Sequence, residues 1–457
     1  MNRITMHNFY KNHWIILIIV CVGVMLRLIN FTEDLWLDEI WSMLTSGPDR
    51  NAMDIINDCK VDTHPPFFDL LLHYTILLFP NFDFAGRLLA LILGVVGMIS
   101  TYYYAKRISV NDKVAFIALV IITFSFFHIR YSGEGRFYTL LYLLSLMVTS
   151  HLFLFFKEKK TSHLFLFSLA GIVLTYTHYY GAILLFSLGL TILVMYASKQ
   201  IESKYFWKFC GASIAILLLF VPWLPYLFDN NTTESWMSKP NVGYFFEYLY
   251  NYTGKNPLEF LFILFAFVMS LKMLKKDKVL FGILYGSIVL GFIIPLVVSS
   301  MTIPMLHYRY TFIYFPSIVL LTAIFWERTT IFKVKIKGVL YGLVICSMLL
   351  NFFFINDITR GVRNESWKDA AIRISDENVQ EDVAVYCEQF FHFNYYLNRF
   401  DQEESQLPQD KLADRFWFLK TSYDKENYSF SGTHHVVETL DYKNKFSLYL
   451  YERTNID

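Results

Sequence analysis

Apolar runs about as long as a bilayer-spanning helix recur along this chain and leave it few architectures. A helix needs roughly 20 apolar residues to cross a hydrocarbon core. The runs are Trp14–Phe31, Phe84–Tyr104, Val114–Ile129, Phe137–Phe156, Leu164–Thr177 and Ala182–Tyr196. They continue with Phe209–Phe228, Leu258–Leu271, Val279–Met301, Phe312–Trp326 and Gly338–Ile355. Only 17% of the 457 residues are charged, against about 25% in soluble proteins. Several soluble domains would need more charged surface than that. Disorder is excluded by the opposite excess, 45 Phe and 31 Tyr. A net charge of +1 gives no nucleic-acid footprint. The chain is a polytopic α-helical membrane protein with about 11 transmembrane helices.

Basic residues set the topology. Phe67–Phe79 is also apolar, but it has the length of an interfacial or re-entrant segment. With it left out of the spans, Lys106, Arg107 and Lys113 share a side with Lys157, Lys159 and Lys160. Lys199, Lys204 and Lys208 fall there too, then Lys272–Lys278 and Arg328–Lys337. Counting it as a span would put the first of these clusters opposite the rest. The amino terminus is therefore expected inside and the tail outside. The first run is read as a span because it is too long for a cleaved leader and lacks its cleavage site.

Residues 356–457 hold 19 acidic and 12 basic residues, about twice the charge density of the body. The expected division is a membrane domain over 1–355, with a long outer loop at 32–83, and a soluble α/β domain over 356–457. Within the tail, Trp367–Asn378 and Phe390–Leu397 have helical patterns. Asp382–Tyr386, Arg415–Leu419, His435–Thr439 and Phe446–Tyr451 look like strands. The five cysteines form no disulfide or metal spacing. Cys21, Cys210 and Cys346 are expected as small core residues.

The polar groups with chemical potential collect on the outer side. Asp38-Glu39 follows the first span, where a carboxylate pair can serve as a general base, bind a metal or simply begin a helix. Asp62-Thr-His64-Pro65-Pro66 places a histidine where two prolines change the chain's direction. Tyr131-Ser-Gly-Glu134-Gly-Arg136-Phe-Tyr138 offers a guanidinium that can fork onto phosphate beside aromatic rings. An Arg–Glu pair that only ties two helices together is the plainer alternative. His178-Tyr179-Tyr-Gly181 and His307-Tyr-Arg309-Tyr310 are either interfacial aromatics or further site residues.

Taken in order, these motifs resemble the polyprenyl-phosphate-sugar-dependent membrane glycosyltransferases of the C-type fold. The similarity is greatest to the branch of protein O-mannosyltransferases and the lipid A aminoarabinose transferase. Trp367-Lys-Asp-Ala-Ala resembles the start of the outer-face domain of bacterial members. The resemblance implies a lipid-phosphate-linked sugar donor and a lipid, glycan or protein hydroxyl acceptor. It implies transfer with inversion at the outer face of a bacterial plasma membrane, with Asp38 as catalytic base and Glu39 orienting it. Arg136, Arg309, His64, Tyr131 and Tyr138 would bind donor phosphate and lipid. Asp62, Glu134, His178 and Tyr179 would support the site or the acceptor. Some members use a divalent metal and others do not; His64 and His178 are the candidate ligands. The rivals are a polysaccharide polymerase or ligase, whose Arg and His loops lie late in the chain, and a secondary transporter, which carries midplane polar groups.

Overall fold

A computed structural model describes residues 3–29, 31, 34–62, 64–79, 81–229, 237, 239–241, 243–302, 304–355, 365–378, 383–400, 406–407, 412–426, 428, 430–442 and 446–454. The helices are α1 Arg3–Leu28, α2 Leu37–Thr45, α3 Ala52–Lys60, α4 Phe67–Ile76, α5 Phe82–Ser109, α6 Asp112–Phe124 and α7 Phe126–Ser132. Next come α8 Tyr138–Glu158, α9 Thr161–Thr175, α10 Tyr180–Ala197, α11 Ser203–Phe220, α12 Leu224–Asp229, α13 Tyr244–Tyr252 and α14 Pro257–Ser270. Helices α15 Lys278–Met301, α16 Phe315–Arg328, α17 Val334–Leu350, α18 Trp367–Asn378 and α19 Phe390–Leu397 follow. Strands β1 Ala384–Cys387, β2 Arg415–Lys420, β3 His434–Asp441 and β4 Ser447–Arg453 complete the set.

The chain forms two compact units. One comprises Met1–Phe31 and Ser46–Thr359, the other Thr32–Thr45 and Arg360–Asp457. The segment carrying Asp38 and Glu39 thus belongs with the tail.

In the first unit, eight helices among the described residues are long and apolar enough to cross a bilayer. The bent pair α6–α7 makes a ninth. Trp14–Leu28 and α9 are apolar but shorter, and with them the expected eleven runs are all helical. Helix α4 is a ten-residue apolar segment, as its sequence length suggested. Helices α8 and α16 are the most enclosed, while α11 and α17 turn most of their surface outward. Cys21 and Cys346 are exposed on this bundle, so they face its surroundings and are not the core residues expected.

One expected span is broken. The run Val114–Ile129 bends by 61° between α6 and α7. Ser125 ends α6 in an extended conformation and caps α7, its hydroxyl accepting from the His128 amide at 3.4 Å. A break exposes helix-end carbonyls, which cannot be left bare in an apolar surround. Arg27 of α1 satisfies them, donating to Ile122 O at 3.0 Å and Thr123 O at 3.4 Å. Its guanidinium also reaches His128 Nδ1 at 2.8 Å.

Three of the basic turns, α5–α6, α8–α9 and α10–α11, gather at one end of the bundle. Arg107 pairs with Glu158 at 3.1 Å, Lys157 donates to Ile108 O at 3.1 Å, and Lys159 pairs with Glu202. Helix α8 leads away from that end for 21 residues, about 30 Å at 1.5 Å per residue. Its other end carries Arg136 and Tyr138. A bilayer core is about 30 Å thick.

In the second unit the sheet order is β1-β2-β4-β3. Strands β1 and β2 are parallel, with Val385 opposite Trp417; the other pairs are antiparallel, with Phe418 opposite Tyr449. A bulge interrupts β3 between Val436 and Glu438. Aromatic residues fill the core, where Tyr386, Phe416 and Phe418 pack with Tyr428, Phe430 and Tyr451.

Candidate active site

Four motifs separated by most of the first unit's length meet in space. The Pro65-Pro66 pair leads into α4, whose first amide, Phe67 N–H, donates to Tyr176 O at 3.0 Å. That bond ties the start of α4 to the end of α9. The His64 ring then lies 5.3 Å from Phe137, Phe137 lies 4.9 Å from His178, and His178 lies 4.8 Å from Tyr310. Arg136 sits over the Phe137 ring at 5.1 Å. Tyr131 and Tyr138 pack at 4.4 Å, and through Phe127 they join Tyr308. The result is an aromatic-walled cationic site built by the D-x-H-P-P, Y-S-G-E-G-R, H-Y-Y-G and H-Y-R-Y segments.

Local bonds fix the individual groups. His178 Nδ1 accepts from the Tyr180 amide at 3.1 Å, and Tyr180 donates its hydroxyl proton to Met305 O at 2.9 Å. Tyr179 accepts from Trp223 Nε1 at 3.2 Å, which places it toward α12. Arg309 donates from its backbone N and from Nε to His307 Nδ1, at 3.2 and 3.3 Å. Glu134 pairs with Arg130 at 3.3 Å. Burial, reinforced by the charges of His64 and Arg136, pushes His178 well below its usual pKa, so it is neutral at pH 7.

Beside this site is a cluster that the sequence did not single out. Cys59 Sγ lies 3.7 Å from Asp69 Oδ2, and His64 Nδ1 lies 3.3 Å from the same oxygen. All three residues are buried. On the other side of the imidazole, Asp62 Oδ2 stands 3.7 Å from Nε2. Burial raises the Asp69 carboxyl, while His64 and Arg136 pull it back. Burial and the neighbouring carboxylates push the Cys59 thiol strongly upward. Cys59 and Asp69 escaped notice because each is a single residue in a common context.

Asp38 and Glu39 lie in the second unit, and their environments differ. Glu39 is buried, and its Oε2 accepts from the Trp36 amide at 3.3 Å, the glutamate half of a capping box. Asp38 is partly exposed in the first turn of α2. Glu365 holds that turn, accepting from Leu37 N–H at 2.8 Å, from Trp367 Nε1 at 2.9 Å and from the Tyr423 hydroxyl. Leu35 N–H donates to the Tyr396 hydroxyl at 3.1 Å. Nothing in the spacing of Glu365 from Asp38 announces this support.

The chain is similar to known proteins in part of its sequence and in its fold. Residues 63–226 match the family described as dolichyl-phosphate-mannose-protein mannosyltransferase. No curated protein matches the chain by sequence. Among solved structures, ArnT from Cupriavidus metallidurans in its apo state aligns with a TM-score of 0.64 at 12% identity, covering 96% of this chain and 98% of ArnT. ArnT bound to undecaprenyl phosphate aligns with the same score at 13% identity and the same coverage. The Archaeoglobus fulgidus oligosaccharyltransferase AglB, in complex with an inhibitory peptide and a dolichol-phosphate, gives 0.50 at 10% identity over 87% of this chain and 64% of AglB. The fold is that of the C-type membrane glycosyltransferases, with a small carboxy-terminal sheet domain. Family match and fold together define a multi-pass membrane glycosyltransferase.

Proposed function

We propose that this protein transfers a sugar from a polyprenyl-phosphate donor to a hydroxyl acceptor at the outer face of the plasma membrane, with inversion and with Asp38 as general base. The observation that carries the donor assignment is the convergence of Arg136, His64, His178 and Tyr310 around Phe137. A buried guanidinium among aromatic rings suits a phosphate carried on an apolar chain. The undecaprenyl phosphate bound to ArnT and the dolichol-phosphate bound to AglB are of that class.

In this mechanism Asp38 takes the acceptor hydroxyl proton as its oxygen attacks the anomeric carbon. The bond to phosphate breaks and polyprenyl phosphate leaves, its charge stabilised by Arg136 and Arg309. Between the paired acids, the partly exposed Asp38 suits proton transfer, while Glu39 closes its own helix. Asp38→Asn in reconstituted protein should bind donor normally and lose about 10²–10⁴-fold in turnover. Glu39→Gln, which can still cap the helix, should stay near wild type. An Asp38→Asn protein keeping more than about a tenth of wild-type turnover would move the base to another acid.

A further inference from the structure

We infer that Cys59, His64 and Asp69 form a binding site for a zinc-class divalent ion. The inference stands on this cluster's geometry and does not depend on the transfer reaction. The ligands come from the end of α3, the turn before α4 and the first turn of α4, a stretch of eleven residues. Their three ligand atoms lie within 4.8 Å of one another. Zinc bonds of about 2.3 Å to sulfur, 2.0 Å to nitrogen and 2.0 Å to oxygen, at tetrahedral angles, require edges of about 3.5 Å for S–O and 3.3 Å for N–O. The edges found are 3.7 and 3.3 Å. Two of the three edges therefore match an ion at the apex, and the third, from sulfur to nitrogen, lies within 4.8 Å, so that closing the site asks for a turn of the Cys59 side chain toward His64.

Three further features fit an ion better than a self-contained hydrogen-bonded cluster. Each ring nitrogen of the buried His64 faces a carboxylate oxygen without hydrogen-bond geometry, and Asp69 Oδ1 makes no hydrogen bond at all. Buried polar atoms are rarely left so. Asp62 stands behind the imidazole at 3.7 Å from Nε2, the place where metal-bound histidines find a carboxylate partner. Finally, a set of one sulfur, one nitrogen and one oxygen is wrong for magnesium or calcium and right for zinc. A thiolate and a carboxylate balance the ion's charge, and three protein ligands leave a fourth position for water or an oxyanion. A cysteine nucleophile is the competing use of such a trio, but the thiol lies against Asp69 and not against the histidine that would have to activate it.

The full-length protein, purified in detergent with zinc supplied and then passed through metal-free buffer, should retain about one zinc per chain by elemental analysis. After chelation, cobalt added to the same protein should give a thiolate-to-cobalt charge-transfer band. Cys59→Ala and Asp69→Asn should lose the zinc and the band, while Cys387→Ala, which removes the other buried cysteine, should keep both. Wild-type protein that stays monodisperse but holds no zinc and gives no band would overturn the site. So would zinc retained by Cys59→Ala. Neither result bears on Asp38, because donor turnover is not the readout.

Discussion

Arg136 concentrates the chemistry of the first unit at one residue. Its guanidinium lies over Phe137, and its charge reaches both Asp69 and His178. A lysine there keeps the charge but loses the planar fork that matches a phosphate and stacks on a ring. Arg136→Lys should therefore weaken polyprenyl-phosphate binding by about 1.5–3 kcal/mol, measured by direct titration in detergent. Unchanged affinity would take Arg136 out of the donor site. In the second unit the corresponding residue is His392, which faces Asp38, Trp41 and Trp367. Burial lowers its pKa to about 4, and Asp38 only partly opposes this. The unfolded value is about 6.5, so between pH 6.5 and 4 the unfolded chain binds more protons. Stability rises with pH through that window and is fully present above it. Acidifying across the window should cost on the order of 3 kcal/mol. His392→Gln should flatten that limb of the thermal-midpoint profile, and an unaltered limb would assign it to other groups.

Turns and helix ends decide where these residues stand. Gly181 closes the H-Y-Y-G turn between α9 and α10 because a Cβ there would lie 2.6 Å from Leu174 O and 2.9 Å from its carbon, both fixed backbone atoms. Gly181→Ala should push His178 off Phe137 and Tyr310, lowering stability by about 1–3 kcal/mol. The check is the thermal midpoint together with donor affinity, and a fully native variant would show that the turn can yield. Much at this scale was legible in the sequence. Helix α18 and helix α19 follow the apolar pattern to the residue, and each of the four strands overlaps its alternating run. Apolar length also separated α4 from the long spans. The break at Ser125 was not legible, since hydropathy continues through it and the stabilising Arg27 comes from another helix. Nor was the support of α2, where Glu365 is 328 residues from Leu37. Local pattern records how a segment folds, but not which distant side chain completes its end.

Across the whole molecule, the motif order in the sequence named groups that the structure brings together, without showing how they meet. His64, Arg136, His178 and Tyr310 were readable as candidates because ionisable and aromatic residues are unusual beside apolar runs. Their convergence depends on the packing of α4, α8, α9 and α10. The same packing brings three of the basic turns together about 30 Å away, one bilayer core from the start of α8. Positive turns stay on the cytoplasmic side, and on that rule the proposed donor site would open on the opposite face. A membrane-impermeant maleimide applied to intact spheroplasts should label Asn57→Cys, next to the site, and Glu426→Cys, in the tail. It should leave Lys159→Cys unmodified until the membrane is opened. Cys59 and Cys387 are buried, and Cys21, Cys210 and Cys346 lie on apolar helices, so labelling is scored against the unsubstituted protein. Labelling of Lys159→Cys in closed spheroplasts, with Asn57→Cys and Glu426→Cys protected, would turn the protein over in the membrane. It would also put the transfer reaction on the cytoplasmic side.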